Sequence, residues 1–180
     1  AKNGKHPIEK DWTNITHLDK MDWIKWLNNS YNIGLRTGEV SGITVIDVDN
    51  KVLATPELEN QRKELIQLLN NLDTLMQNTA HSGVHYVFKY DKDIVQTVDI
   101  AGLKIDIRND GGQILVQPSK LESLNYNWKK SDAEIKPLSD EVKSKLLTLM
   151  KVEVGRKIEE PEKISSSSDG LVELKNDGLD

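Results

Sequence analysis

The apolar and polar positions along the chain divide into short runs typical of β-strands and longer stretches typical of helices. The most pronounced run covers residues 42–49, Gly-Ile-Thr-Val-Ile-Asp-Val-Asp, in which β-branched residues lead into two carboxylates. Such a run predicts a largely buried strand. Because successive side chains of a strand point to opposite faces, Asp47 and Asp49 are predicted to lie on the same face.

Apolar residues at helical spacing predict three further elements. Their ranges are residues 16–29, residues 55–71 and a stretch within residues 132–150. Thr16, Thr55 and Ser139 are the expected N-caps, since a hydroxyl side chain satisfies a free amide at the start of a helix. Trp23 and Trp26 are spaced as core residues of the first helix, and we expect them to be buried.

Four additional runs predict strands. They cover residues 33–37, 85–90, 103–108 and 113–117. The sequence Asn-Asp-Gly-Gly at residues 109–112 is typical of a hairpin turn, which predicts that the last two strands pair with each other. In the run 85–90, alternation places His85 on one face and three aromatic residues on the other.

Three of the predicted strands carry a functional group near one end. They are Asp47 with Asp49, His85, and Asp106 with Arg108. Two neighbouring carboxylates repel each other unless a cation lies between them, so the acidic pair favours a hard divalent cation, Mg²⁺ or Mn²⁺. Each group alone is weak evidence, because paired acids also occur in glycosyltransferases and aspartate phosphatases, and a single strand histidine is usually structural.

Amino-acid composition and charge say more about the cellular location of the protein than about its function. The 180 residues include 29 acidic and 24 basic residues, a net charge of −5. Residues 155–180 carry seven of the acidic and four of the basic residues, which leaves 22 and 20, a net charge of −2, in residues 1–154. Bulk charge therefore neither supports nor excludes nucleic-acid binding. The chain has no cysteine, no apolar run of membrane-spanning length and no signal-peptide pattern at its start, which favours a cytoplasmic location.

The order of these motifs resembles the archaeo-eukaryotic primase superfamily, in particular the bifunctional DNA primase/polymerase domain of plasmids, phages and other mobile elements. The resemblance covers roughly residues 4–119 and begins with a Gly-Lys-x-Pro lead-in at residues 4–7. It continues with the Asp-x-Asp strand, Ser-Gly-x-His at residues 82–85 and the Asp-x-Arg strand. Gly-Gly at residues 111–112 and Pro-Ser at residues 118–119 complete it.

The resemblance implies roles for individual residues. Asp47, Asp49 and Asp106 would be the catalytic carboxylates and would bind two divalent ions, Mg²⁺ or Mn²⁺. His85 would contact the phosphates of the incoming nucleotide.

Other residues are candidates for nucleotide binding on chemical grounds. A triphosphate needs cationic donors, for which Arg36 and Arg108 are suited, although Arg36 could equally be a solvated edge charge. The turn at Ser82-Gly83 would let the backbone approach phosphates. The remaining candidates, for base and sugar contacts, are Gln117 and Ser119.

The resemblance also predicts the architecture and the activity. The expected fold is α+β, with an RRM-like antiparallel catalytic sheet packed against a smaller αβ unit. Residues 1–154 would form the catalytic domain, and the polar, serine-rich residues 155–180 a linker or tail. The expected reaction is template-directed nucleotidyl transfer from (d)NTPs to a 3′-hydroxyl by a two-metal mechanism, in the replication of a mobile element. The expected partners are a DNA template and primer, the nucleotide, and a helicase on the same or a separate chain.

Two alternatives stay open on the sequence. A catalytically inactive RRM-like module would bind nucleic acid or nucleotide through exposed sheet aromatics, for which Tyr86, Phe88 and Tyr90 are the only candidates. A metal-dependent phosphatase would also use acidic strand ends, but it would leave His85 and Arg108 without a role.

Overall fold

The structure, a computed structural model, describes residues 4–15, 19–129 and 131–159, with side chains described as far as residue 151. The described residues form three helices, nine strands and two short 3-10 helices at residues 39–41 and 100–102. The helices are α1 (Lys20–Asn28), α2 (Pro56–Asn70) and α3 (Asp140–Glu159). The strands are β1 (Ile33–Arg36), β2 (Ile43–Val48), β3 (Leu75–Asn78), β4 (Val84–Lys89), β5 (Ile105–Arg108), β6 (Gln113–Val116), β7 (Lys120–Leu121), β8 (Leu124–Asn125) and β9 (Asn127–Trp128).

A five-stranded antiparallel sheet lies at the centre of the fold. Its order is β5-β2-β4-β3-β9, so the strand that carries Asp47 lies between β5 and β4. Helix α2 connects β2 to β3, and the short hairpin between β3 and β4 returns the chain to the side of β2. The order β5-β2-β4-β3 is that of an RRM-like sheet, with the 3-10 helix at residues 100–102 in place of the second crossover helix. The predicted α+β fold is confirmed.

The main hydrophobic core lies between one face of this sheet and helices α2 and α3. In β2, Ile46 and Val48 belong to this core, whereas Val45 belongs to a second apolar cluster that includes Ile114 of β6. Alternation along the strand therefore places Asp47 on the face away from the two helices. The helical contribution to the core comes from residues Leu65, Leu69, Val142, Leu146 and Met150.

Helices α2 and α3 begin where the sequence predicts. Thr55 accepts a hydrogen bond from the amide of Leu58 at 3.4 Å, and Ser139 accepts one from the amide of Val142 at 3.3 Å. Helix α3 continues through Glu159, so its backbone crosses the boundary predicted at residue 155. The serine-rich stretch of the predicted linker lies outside the described residues. Within the described part, no helix is both long and apolar enough to span a membrane.

The predicted hairpin between β5 and β6 is wrong. Strand β6 pairs with β1 in a separate two-stranded antiparallel sheet, with Ile33 opposite Val116 and Arg36 opposite Gln113. The free edge of β5 is instead occupied by Thr97, whose amide and carbonyl exchange hydrogen bonds with Ile107 at 3.1 and 2.8 Å. The small sheet β1–β6, preceded by α1, is the counterpart of the smaller unit that the sequence predicts.

The prediction of a buried first helix is also wrong. Thr16, its expected cap, lies outside the described residues, and α1 begins at Lys20 with Asp19 as its cap, accepting from the amide of Met21 at 2.8 Å. None of its residues is buried, and Trp23 is 43% exposed. Trp26 is only half-buried. Because α2 and α3 already cover the helical face of the sheet, the core leaves no place for α1.

Candidate active site

Pairing within the central sheet brings three of the predicted groups into one row. Asp47 of β2 lies directly opposite His85 of β4 on one side and Asp106 of β5 on the other. Residues directly opposite each other in antiparallel strands project to the same face. The three side chains therefore share the face of the sheet that the two core helices leave free.

Asp47 and His85 form the buried part of this row. The distance from His85 Nε2 to Asp47 Oδ1 is 3.5 Å, and the two side chains are 4% and 18% exposed. Burial by itself would raise the pKa of Asp47, but His85, Arg108 and Lys5 together hold it below its ordinary value. Asp47 is therefore an anion at neutral pH despite its burial.

Asp106 is held by groups on its own side of the sheet. Its Oδ1 accepts a hydrogen bond from the amide of Asp99 at 2.7 Å, and its Oδ2 pairs with the Arg108 guanidinium. Because Arg108 lies two residues further along β5, it shares the face of Asp106 and faces the same space. The site thus combines carboxylates and a guanidinium, the pairing that can hold a cation and an anionic ligand together.

Asp49 lies just beyond the end of β2 and does not join the row. Its Oδ2 pairs with Lys51 Nζ at 2.5 Å, and its side chain is 39% exposed. In the described part of the chain, no group of three or more acidic or histidine side chains is arranged to hold a metal ion. The donor types nevertheless suit a hard cation, since Asp47 and Asp106 are like charges placed directly opposite each other.

A cavity of about 300 Å³ opens in front of Asp47 and His85, and Asp106 is not among its lining residues. Asp47, His85 and Arg108 line it from the central sheet, and Lys5 and Trp12 line it from the N-terminal segment. That segment is tied to the small sheet, where the Gln113 side-chain amide donates to the carbonyl of Lys5 at 2.6 Å. The Gly-Lys-x-Pro lead-in is therefore part of the wall of the site.

The comparison with protein families identifies the chain. Residues 1–141 match the family described as "Bifunctional DNA primase/polymerase, N-terminal". The chain belongs to this family. No curated protein matches the sequence. Family membership supports a primase/polymerase function, and a domain of this family would bind DNA and nucleotides.

Besides Lys5 and Trp12, two further residues at this candidate site, Tyr126 and Gln77, were not predicted. Tyr126, in the loop before β9, lines the cavity with its ring centroid 6.0 Å from that of His85. Burial and then the charges of Asp47 and Asp49 raise the pKa of Tyr126 to about 12, so its hydroxyl stays protonated. Gln77 is fully buried behind His85, in strand β3, which the sequence pattern did not predict. Gln77 lies directly opposite His85 across the β3–β4 hairpin, and Tyr126 lies between β8 and β9.

His85 lies deeper in the sheet than predicted. It is the second residue of β4, not the first, and only 3% of it is exposed. Tyr86 and Phe88, on the opposite face of β4, are 3% and 0% exposed within the main core. These two aromatics are not available to stack on bases. Tyr90, the third candidate, is half-buried, and its hydroxyl donates to Asp110 Oδ2 at 2.9 Å.

The turn at Ser82-Gly83 lies next to the acidic strand but outside the cavity lining. Ser82 is exposed with a φ of 63°, and Gly83 is buried. The Gly83 amide donates to Thr79 Oγ1 at 3.0 Å. A side chain at Gly83 would lie 2.6 Å from the carbonyl oxygen of Val48. This glycine therefore serves close packing of the turn against the end of β2.

The three remaining predicted contacts are engaged in structural hydrogen bonds. Arg36 donates to the carbonyl of Ile15 at 3.0 Å. Gln117 accepts from the amide of Trp128 at 2.8 Å through its side chain. Ser119, which is 1% exposed, accepts from the amide of Ile33 at 2.8 Å. None of these three predicted residues lines the cavity that contains Asp47.

Proposed function

We propose that this domain is a DNA primase/polymerase that transfers nucleotides from (d)NTPs to a 3′-hydroxyl on a DNA template. The observation that carries the proposal is the row formed by His85, Asp47 and Asp106. His85 and Asp47 line one cavity together with Arg108 and Lys5, and Asp106 pairs with Arg108. Carboxylates next to cationic donors suit a reaction in which a polyphosphate is bound and pyrophosphate leaves.

The cationic and neutral donors would bind the triphosphate. Arg108 can address two phosphate oxygens with its fork, while Lys5 acts as a point charge. His85 presents Nε2 to the same space, next to Asp47 Oδ1. Trp12 and Tyr126 add flat surfaces to the lining. These groups would orient the nucleotide and offset the charge that develops on the leaving pyrophosphate.

Two divalent ions, Mg²⁺ or Mn²⁺, are proposed as cofactors. Asp47 and Asp106 would hold them, and Asp49 would join once it exchanges its partner Lys51 for the metal. When bound, such ions activate the attacking hydroxyl and neutralise the triphosphate. The predicted roles of Arg36, Ser82, Gly83, Gln117 and Ser119 would be indirect, through support of the backbone around the cavity.

The cellular setting belongs to the same proposal. We place the enzyme in the cytoplasm, in the replication of a plasmid, phage or other mobile element. A helicase, on the same chain or separate, would supply the unwound template.

Primer extension tests the proposed activity. The wild type should extend a labelled primer on a DNA template when nucleotide and Mn²⁺ or Mg²⁺ are present. Asp47→Asn and Asp106→Asn should each lower the rate at least about 100-fold, since each removes a negative charge from the reacting centre. Asp93→Asn is the matched control, because Asp93 is paired with Lys143 and lies outside the row of His85, Asp47 and Asp106.

The outcomes separate the proposed site from the alternatives. Full activity in Asp47→Asn and Asp106→Asn would refute the assignment of these carboxylates. If the wild type binds nucleotide but incorporates none, with either metal, the domain is an inactive binding module. Calorimetric titration with Mn²⁺ provides an independent measurement, in which the heat seen for the wild type should be lost in Asp47→Asn.

A further inference from the structure

The side-chain amide of Gln77 is fully buried, and it has three polar partners within the protein. Its Nε2 donates to the carbonyl of Leu115 at 2.8 Å and lies 3.0 Å from His85 Nδ1. Its Oε1 accepts from the amide of Gln117 at 2.9 Å. The residue is 0% exposed, so water cannot replace any of these partners without a change in packing.

The backbone partners determine which way this amide points. A carbonyl oxygen can only accept, and a backbone amide can only donate. If the amide of Gln77 were rotated by half a turn, its oxygen would face the carbonyl of Leu115 and its NH₂ group would face the amide of Gln117. Both contacts would become repulsive in a buried site. The atom that faces His85 is therefore the nitrogen.

The orientation of Gln77 in turn determines the histidine tautomer. One hydrogen of Nε2 is used by Leu115, and the other points at Nδ1 of His85, which must offer a lone pair to accept it. The proton of the neutral ring then resides on Nε2. That atom lies 3.5 Å from Asp47 Oδ1, and both residues line the cavity.

We propose that Gln77 is a positioning residue that holds His85 in the Nε2–H tautomer, so that the ring presents a hydrogen-bond donor to the phosphates of the bound nucleotide. In the other tautomer a lone pair of Nε2 would face the Asp47 carboxylate and the phosphates, and it would repel both. The link to phosphate binding rests on the proposed function, whereas the tautomer itself does not.

The anchor also explains why a glutamine is used at this position. Leu115 and Gln117 lie within or directly after β6, so Gln77 ties His85 to the small sheet β1–β6. The same small sheet holds the carbonyl of Lys5 through Gln113. The Gln77 side chain thereby determines the position of the His85 ring relative to the segment that carries Lys5.

The tautomer is measured directly by two-dimensional NMR of ¹⁵N-labelled protein, which correlates both ring nitrogens with the ring carbon-bound protons. The His85 signals are assigned by their absence in His85→Gln. At a pH at which the ring is neutral, the wild type should show a protonated Nε2 and an unprotonated Nδ1. A wild-type ring protonated on Nδ1 would overturn the proposal, whatever the behaviour of any variant.

Gln77→Met removes the donor while keeping an unbranched side chain of similar length. In this variant the two His85 nitrogen shifts should converge as both tautomers become populated. We expect kcat/KM for nucleotide to fall about 10- to 100-fold, the usual range for loss of a partner that orients a functional histidine.

Thr74→Val is the matched control. It removes the buried Thr74 hydroxyl next to the same sheet, which donates to the carbonyl of Val87 and accepts from the amide of Lys136. It should lower stability without changing the His85 signals.

The outcomes distinguish this proposal from the proposed function. Unchanged His85 shifts in a folded Gln77→Met protein would refute the positioning role. The predicted tautomer in a wild type without polymerase activity would refute the proposed function and leave the role of Gln77 intact. An active wild type whose His85 is protonated on Nδ1 would refute the role of Gln77 and leave the proposed function intact.

Discussion

Replacement of Gly83 by alanine tests how tightly the turn before β4 packs against the acidic strand. An alanine Cβ at this position would lie 2.6 Å from the carbonyl oxygen of Val48 and 2.8 Å from Thr79 Oγ1. Real Cβ atoms essentially never approach closer than 3.0 Å, so the first contact must open by at least 0.4 Å. Val48 cannot yield freely, because it pairs with Val84 on one side and Ile105 on the other.

The expected cost is that of an overpacked core, about 1–3 kcal/mol of unfolding free energy. For a domain of this size that corresponds to a decrease of about 2–12 °C in Tm. Because Val48 lies between Asp47 and Asp49, the displacement should also reduce primer extension. Thermal unfolding followed by circular dichroism measures the first effect, and nucleotide KM and kcat measure the second.

Gly42→Ala is the control for a glycine substitution that leaves the site in place. Nothing lies within 4 Å of its Cβ position, but its φ of 67° strains any other residue. This variant should lose stability and keep the wild-type KM for nucleotide. If Gly83→Ala keeps the wild-type Tm, the packing argument is refuted. If it then raises KM alone, the direct phosphate contact predicted from the sequence becomes the better account.

Two further measurements follow from the charges. The Lys143 ammonium donates a hydrogen bond to Asp93 and holds the pKa of that carboxyl below its ordinary value of 3.8. Because the folded-state pKa is lowered, the pair stabilises the protein at pH values above 3.8. This stabilisation is lost as the pH falls through the folded-state pKa. The stability difference between the wild type and Lys143→Met, from urea unfolding at several pH values, should therefore shrink below about pH 4, and a difference that stays constant to pH 2 would refute it. Burial raises the pKa of Tyr126 to about 12, with the charges of Asp47 and Asp49 adding to the effect. In an ultraviolet titration, the phenolate signal that is missing in Tyr126→Phe should appear near pH 12; its appearance near pH 10, the ordinary value of tyrosine, would contradict the buried environment.

Local patterns in the sequence determined much of the secondary structure. The β-branched run before Asp47 predicted β2, and the Thr55-Pro56 start predicted α2. Strand alternation also assigned faces correctly, since Tyr86 and Phe88 are buried in the core while His85 is on the other side. These features follow from the two-residue period of strands and from helix capping, which depend on neighbours in the chain.

The partners of each element were decided only in three dimensions. Strand β6 follows a hairpin-like turn, yet it pairs with β1, because Thr97 occupies the free edge of β5. Helix α1 has an apolar pattern, yet none of its residues is buried, since α2 and α3 cover the sheet.

The site shows the same division. By itself the sequence determined that Asp47, His85 and Asp106 are polar groups near strand ends, and the paired acids led to the prediction of a bound cation. Only the tertiary structure decided that the three occupy one register row, that Gln77 lies behind His85, and that Lys5 and Tyr126 complete the wall. The physical reason is that the period of a strand specifies the face of a side chain, whereas its neighbours across the sheet depend on pairing between segments distant in sequence.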